Sequence, residues 1–167
     1  MRLKTYIFLL LLFPVFNVSA QNPVAASQNN PSQLDKQKLI ILVNYSRSKG
    51  CNCGNLKMPP VPAVAWDDQL ESAAEKHSLD MSKHNFLSHN GSDGSKFSER
   101  ITKAGFKWNR CGENIGQGYE TEQQVVDGWL KSPDHCKNIM SREFRFMGVA
   151  RSGSFWTQDF GTRQQDK

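Results

Sequence analysis

The sequence predicts an α+β fold, a three-layer α-β-α sandwich with a small antiparallel sheet at its centre. Apolar residues recur at helical spacing in the first half of the folded part, whereas apolar and polar residues alternate near the C-terminus, as they do in β-strands. The strand–helix–strand repetition that builds parallel sheets is not visible. A chain of 167 residues leaves room for one domain once its N-terminal segments are set aside.

The first 20 residues predict a secretory signal peptide. Arg2 and Lys4 precede an apolar run over residues 6–16, and the segment ends in a small-residue Val-Ser-Ala pattern. This run is shorter than the ~20 residues that span a bilayer, so a retained membrane anchor is the less favoured alternative. We therefore expect a secreted or periplasmic protein with no transmembrane segment in the mature chain.

Residues 21–33 predict a flexible linker, because the segment is polar, contains two prolines and has no repeating apolar face. The folded domain is then expected at residues 34–167. The net charge is +5, but the basic residues are scattered and form no run, which argues against a nucleic-acid partner. Weak attraction to an anionic cell envelope is compatible with this charge.

The first two helices are predicted from their apolar spacing. One is expected over residues 34–48, and the next is capped by Asp67 or Asp68, with Glu71 in the position of a capping box. His77 falls on the apolar face of the second helix, where a histidine is usually a hydrogen-bonded packing residue. The expected apolar faces are Leu34, Ile41, Leu42 and Tyr45 in the first helix, and Trp66, Leu70, Ala73, Ala74, His77 and Met81 in the second. The proline-rich segment between the helices predicts an irregular connection.

Three further helices are expected, over about residues 96–103, over residues 121–131, and from Pro133 onwards. Glu99 and Arg100 fall on the polar side of the first of these. His135 would be the third residue of the last helix, where the positive end of the helix dipole favours a neutral imidazole.

The strands are predicted in the second half of the chain. Residues 144–151 and 154–160 alternate as the two arms of a hairpin around a Ser-Gly turn, and a further strand is expected at about residues 113–117. Glu113 lies in this last strand with glycines nearby, which we expect to leave space above its carboxylate.

The four cysteines, Cys51, Cys53, Cys111 and Cys136, all fall in the exported part of the chain. An even count in an oxidising compartment predicts two disulfides in preference to a metal cluster, and the CxC pair alone lacks the spacing of a zinc site. Three pairings are open on this reasoning.

His89, Glu113 and His135 are the candidate site residues. His89 lies on the glycine-rich loop at residues 86–95, away from the other two in sequence. Neutral imidazoles bind zinc, copper or nickel, and a nearby carboxylate can orient a ring or accept a proton from bound water. Glu99 and Glu113 are also a formal carboxylate pair of the glycosidase kind, whereas no GxSxG nucleophile motif occurs.

Six motifs occur in a recognisable order: LSHNGSDGS, ERITKAGFKW, CGENIGQG, VVDGWLKSPDHCKNIM, FRFMGVA and FWTQDFG. Over about residues 36–161 the chain resembles the bacterial branch of the CAP superfamily, also called SCP-like or cysteine-rich secretory, antigen 5 and pathogenesis-related-1 proteins. The resemblance implies an α-β-α sandwich with an open cleft that holds a His/Glu tetrad. It assigns His89, Glu113 and His135 to three members of that tetrad.

The fourth member of the tetrad is not matched, because the glutamate of many family members is replaced here by Ser132. We take Glu99 as the substitute candidate. The resemblance also implies the disulfide Cys53–Cys136, which leaves Cys51–Cys111 as the second pair.

These features lead to the hypothesis of a monomeric, envelope-associated binding domain whose cleft takes a divalent cation, zinc first, and an extended glycan, peptide or lipid. The alternative is a metal-dependent hydrolase of peptide or cell-wall bonds, with His89 and His135 as metal ligands, Glu113 as general base and Glu99 as a second catalytic acid. In a third interpretation the polar cluster only braces the cleft.

Overall fold

The computed structural model describes Met1 and residues 34–164. The predicted signal peptide and the predicted linker at residues 21–33 lie outside the described residues, apart from Met1. Residues 34–164 contain five helices and six strands. The helices are α1 Lys36–Lys49, α2 Asp68–His84, α3 Phe97–Lys103, α4 Glu122–Lys131 and α5 Pro133–Ile139. The strands are β1 Cys51–Cys53, β2 Leu56–Met58, β3 Ala65–Trp66, β4 Trp108–Gln117, β5 Phe146–Ser152 and β6 Phe155–Arg163.

The central sheet has the strand order β3-β5-β6-β4. Its three long strands are antiparallel neighbours, and the two-residue β3 pairs in parallel with β5. Strand β4 therefore lies at one edge of the sheet. A separate two-stranded hairpin, β1-β2, replaces the irregular connection expected after α1.

Helices cover both faces of this sheet, which confirms the predicted α-β-α sandwich. The larger core joins α1, α4 and α5 to one face through Leu39, Val126, Ile139 and Trp156. On the other face, α2 and α3 pack through Leu70, Ala73, Ile101 and Phe106.

Helix α1 buries a different face from the one predicted. Ile41 and Tyr45 are exposed, whereas Leu39, Val43 and Arg47 are fully buried. The guanidinium of Arg47 donates to four backbone carbonyls, at Pro62, Ile139, Ser141 and Phe144. These acceptors offset the cost of burying a charge, and burial lowers the pKa of Arg47 to about 10.

Helix α2 follows the prediction along its buried face, but its cap is simpler. Asp67 Oδ1 accepts from the backbone N–H groups of Gln69 and Leu70, at 2.9 and 3.1 Å. The Glu71 carboxylate does not close a capping box and instead binds Lys36 and Trp66. His77 is a buried packing residue, as predicted, with Nε2 2.8 Å from the carbonyl oxygen of Ser88.

Candidate functional site

Glu113 lies in the middle of β4 and is only 4% exposed. Side chains alternate between the faces of a strand, so the glycines at 112 and 116 lie on the face opposite to Glu113. A Cβ at Gly112 would lie 2.7 Å from the ring of Phe144, and one at Gly116 would lie 3.2 Å from Tyr119. The glycines therefore admit aromatic rings behind the strand, and the expectation that they leave space above the carboxylate was wrong.

Both oxygens of the Glu113 carboxylate are occupied. Oε1 lies 2.8 Å from His89 Nδ1, and Oε2 accepts from Arg100 Nη2 at 2.7 Å. The same guanidinium donates to the backbone carbonyls of Ser95 and His89 at 2.8 and 3.0 Å. Arg100 thus fixes the carboxylate and the loop that carries His89 at the same time.

Arg100 takes the place that was predicted for Glu99. Glu99 is exposed, and its Oε2 accepts from the backbone N–H of Lys96 at 3.0 Å, so it serves as a local cap of α3. The fourth-member assignment of Glu99 was therefore wrong. Arg100 was expected on the polar side of α3 but is 7% exposed. Arg100 could have been found from the chemistry of Glu113, because a buried carboxylate normally requires a cation partner.

His89 presents one nitrogen to the protein and one away from it. Its side chain is 49% exposed, while the Glu113 side chain beneath it is fully buried. With a carboxylate as its partner, Nδ1 carries the proton and donates it to Glu113. The other nitrogen, Nε2, belongs to the half-exposed part of the ring and carries a lone pair in the neutral tautomer.

His135 is the third residue of α5, as predicted from Pro133, and is partly buried. Burial lowers the pKa of His135. Its backbone lies beside β4, since the carbonyl oxygen of His135 accepts from Asn114 Nδ2 at 3.2 Å. The neutral ring was expected from the helix dipole, but burial is the main cause. Asn138 fixes α5 to the strand, since its Nδ2 donates to the Glu113 carbonyl at 3.0 Å.

Asp159 is a buried carboxyl that sequence reasoning missed. It is fully buried on β6, directly across from Glu113 on β4. Within residues 34–164, no N–H or hydroxyl group donates to either of its oxygens, and the carboxyl bonds to that of Glu113. Burial, and then the charge of Glu113, raise the pKa of Asp159 well above 3.8, which makes it the neutral member of a carboxyl pair.

Asp159→Asn is expected to become more stable than the wild type as the pH rises. The folded wild type keeps a proton on Asp159 that the unfolded chain releases above pH 3.8. Its free energy of unfolding therefore falls by up to about 1.4 kcal/mol per pH unit until the folded-state pKa is passed. Asparagine keeps the shape without this loss. Urea unfolding of both proteins at about pH 5 and about pH 7 measures the difference, and an unchanged difference would contradict a protonated Asp159.

The cleft residues do not form a ready three-ligand metal site. Among the described residues, the group of three potential ligands with mutually close donor atoms is Cys51, Cys53 and Cys136, within 4.8 Å. Because Glu113 already uses both oxygens, the cleft offers two imidazoles, at His89 and His135. Two neutral imidazoles suit zinc, copper or nickel, but they supply fewer ligands than the three or four of tight zinc sites.

The cysteines confirm one predicted pair and correct the other. Cys53 and Cys136 form a disulfide, whereas Cys51 and Cys111 are free thiols. Cys51 packs against the larger core and Cys111 against the core around Phe106, so the predicted Cys51–Cys111 bond was wrong. Burial raises the pKa of the Cys111 thiol to about 11.

Solved structures share this arrangement of helices and strands. An extracellular protein of Bacillus anthracis that contains an SCP domain matches with a TM-score of 0.67 and 30% identity, over 76% of this chain and 40% of that one. An outer surface protein of Borrelia burgdorferi has a TM-score of 0.66 and 21% identity, over 77% of this chain and 92% of that one, and so supports the fold alone. No helix within residues 34–164 has the length and apolar character needed to cross a membrane.

Sequence comparison gives the same relationship. The uncharacterized protein YkwD of Bacillus subtilis is 32% identical over 154 residues, which are 86% of this chain and 56% of YkwD. The chain thus spans about half the length of that relative. The model of the cysteine-rich secretory protein family, CAP, matches residues 40–160. The chain belongs to the CAP family.

Proposed function

We propose that this chain is an extracytoplasmic binding domain whose cleft takes a divalent cation, zinc first, through His89 and His135. An extended envelope ligand, such as a glycan, peptide or lipid, would lie along the same cleft. The observation that carries the proposal is the 2.8 Å hydrogen bond between His89 Nδ1 and Glu113 Oε1 beneath a half-exposed ring.

This hydrogen bond prepares His89 as a ligand. A carboxylate that accepts the proton of one ring nitrogen fixes the tautomer and makes the other nitrogen more basic, as it does for the histidine ligands of many metal sites. Arg100 holds the second oxygen of Glu113 at 2.7 Å, so the carboxylate cannot rotate away. His135 adds a second imidazole, whose lowered pKa keeps it neutral and able to coordinate near neutral pH.

Binding is favoured over hydrolysis by the state of Glu113. A general base must reach the water or hydroxyl whose proton it takes. Both oxygens of Glu113 are already bonded to protein groups, and the whole side chain is buried. Glu99, the other acid of the hydrolase hypothesis, bonds to its own helix end.

The extracytoplasmic location is supported by two separate observations. The first 20 residues have the pattern of a secretory leader. The similar SCP-domain protein of Bacillus anthracis is an extracellular protein. The cell envelope is therefore where we look for the ligand.

Zinc titration by calorimetry tests the proposal, with free thiols alkylated so that cysteines cannot bind the metal. We expect His89→Ala and His135→Ala each to weaken zinc binding by at least about tenfold, because each removes one of two protein ligands. His84→Ala is the matched control. His84 is 47% exposed and its Nδ1 lies 2.8 Å from the Asp80 carboxylate, which repeats the local geometry of His89 away from the cleft.

Equal zinc affinity in all four proteins, or a loss only in His84→Ala, would contradict the proposed site. Assays on peptidoglycan and casein, with and without a chelator, address the hydrolase hypothesis. Turnover that a chelator abolishes would favour hydrolysis over binding alone.

A further inference from the structure

Three sulfur atoms meet beside the cleft, where the β1-β2 hairpin touches α5. The Sγ atoms of Cys51, Cys53 and Cys136 all lie within 4.8 Å of one another. Cys53 and Cys136 are bonded to each other, and Cys51 is a thiol whose Sγ lies 3.5 Å from Cys136 Sγ. The free sulfur is thus in van der Waals contact with one atom of the disulfide.

Strand geometry explains why two cysteines of β1 face the single cysteine of α5. Cys51 and Cys53 are two residues apart on β1, so their side chains lie on the same face of the hairpin. Their cross-strand partners, Met58 and Leu56, fix the register that directs both sulfurs toward α5. Cys136 is fully buried and Cys53 is 2% exposed, whereas Cys51 is partly accessible to solvent.

We propose that Cys51, Cys53 and Cys136 form a thiol–disulfide exchange site in which Cys136 changes its partner between Cys53 and Cys51. The thiolate of Cys51 attacks Cys136 Sγ, which forms the Cys51–Cys136 bond and breaks the Cys53–Cys136 bond. Cys51 releases its proton to solvent when it ionises. Cys53 leaves as a thiolate and takes up a proton from solvent, so no net proton is released. The number of disulfides and thiols is unchanged, so no oxidant or reductant is consumed.

The exchange moves the free thiol between two environments. With Cys53 bonded, the free thiol is the partly accessible Cys51, which a small external thiol or an alkylating reagent can reach. With Cys51 bonded, the free thiol is Cys53, which packs in the larger core. The reactivity of the domain toward small thiols would therefore depend on which partner Cys136 holds.

Peptide mapping of the full-length oxidised protein tests the proposal. The protein is incubated with a trace of glutathione, quenched with acid, unfolded in denaturant, alkylated with a maleimide at mildly acidic pH, digested without reduction and fragmented between Cys51 and Cys53. We expect both isomers, seen as loss of alkyl label from Cys51 and a matching gain on Cys53. A second readout is Cys53→Ser, in which we expect a Cys51–Cys136 bond that also provides the reference spectrum.

Cys111→Ser is the matched control, because Cys111 is the free thiol of a different hydrophobic cluster and should leave the exchange unaltered. Wild-type protein in which every Cys136 remains bonded to Cys53 after incubation would overturn the proposal, whether or not Cys53→Ser folds. Loss of the Cys51–Cys136 isomer in Cys111→Ser would overturn it too, because Cys111 would then be needed for the exchange.

Discussion

Glu113→Ala is expected to lower the free energy of unfolding by about 3–5 kcal/mol, the usual cost of removing one partner of a buried ion pair. The Glu113 side chain is fully buried and that of Arg100 is 8% exposed, so the guanidinium would be left without its counter-charge. His89 would also lose the acceptor of its ring proton. Urea denaturation of the purified domain measures this change.

Glu99→Ala is the matched control for this variant. Glu99 is an exposed glutamate that binds one backbone N–H at the start of α3, so its loss should cost about 1 kcal/mol. Equal destabilisation by the two variants would contradict the ion pair as the support of the cleft. The double variant Glu113→Leu/Arg100→Met should regain part of the loss, because it removes both buried charges together.

Gly148→Ala is expected to destabilise the domain by about 3 kcal/mol or more, because β5 and α2 meet there with no room for a side chain. A Cβ at this position would lie 2.0 Å from the backbone nitrogen of Glu71 and 2.5 Å from the carbonyl carbon of Leu70. These are backbone atoms of a helix, so the whole of α2 would have to move away from the sheet. Thermal unfolding followed by circular dichroism measures the effect.

Gly116→Ala provides the comparison within the same sheet. Its Cβ would meet side-chain atoms of Tyr119 at 3.2 Å, which can yield by a few tenths of an ångström, so the cost should be about 1 kcal/mol. If Gly148→Ala were as mild as Gly116→Ala, the direct contact between α2 and β5 would be wrong.

Elements with a clear periodicity of apolar residues could be predicted from the sequence. The buried face of α2 and the β5-β6 hairpin follow directly from helical and alternating spacing. The face of α1 could not be predicted this way, because it is organised around Arg47 and a pattern of apolar residues assigns an arginine to solvent. Its burial depends on four carbonyls from distant segments, which no local pattern reveals.

In the cleft, too, residues within a recognisable motif could be predicted, whereas residues that matter through tertiary contacts could not. The resemblance of the motifs placed His89 and Glu113 together, and the structure joins them by a hydrogen bond. Arg100 and Asp159 were not selected, because their importance arises only when α3 and β6 pack around Glu113. Glu99, the residue chosen as the fourth cleft member, is a carboxylate as expected but lies on the exposed side of α3.

The most direct measurement of the central claim is an anomalous-scattering map of zinc-soaked crystals of the thiol-alkylated protein, recorded at the zinc edge. We expect a peak beside Nε2 of His89 and the ring of His135, with Glu113 still bonded to Nδ1 of His89. A map with no zinc at these two rings, or with zinc only at His84 and Asp80, would contradict it.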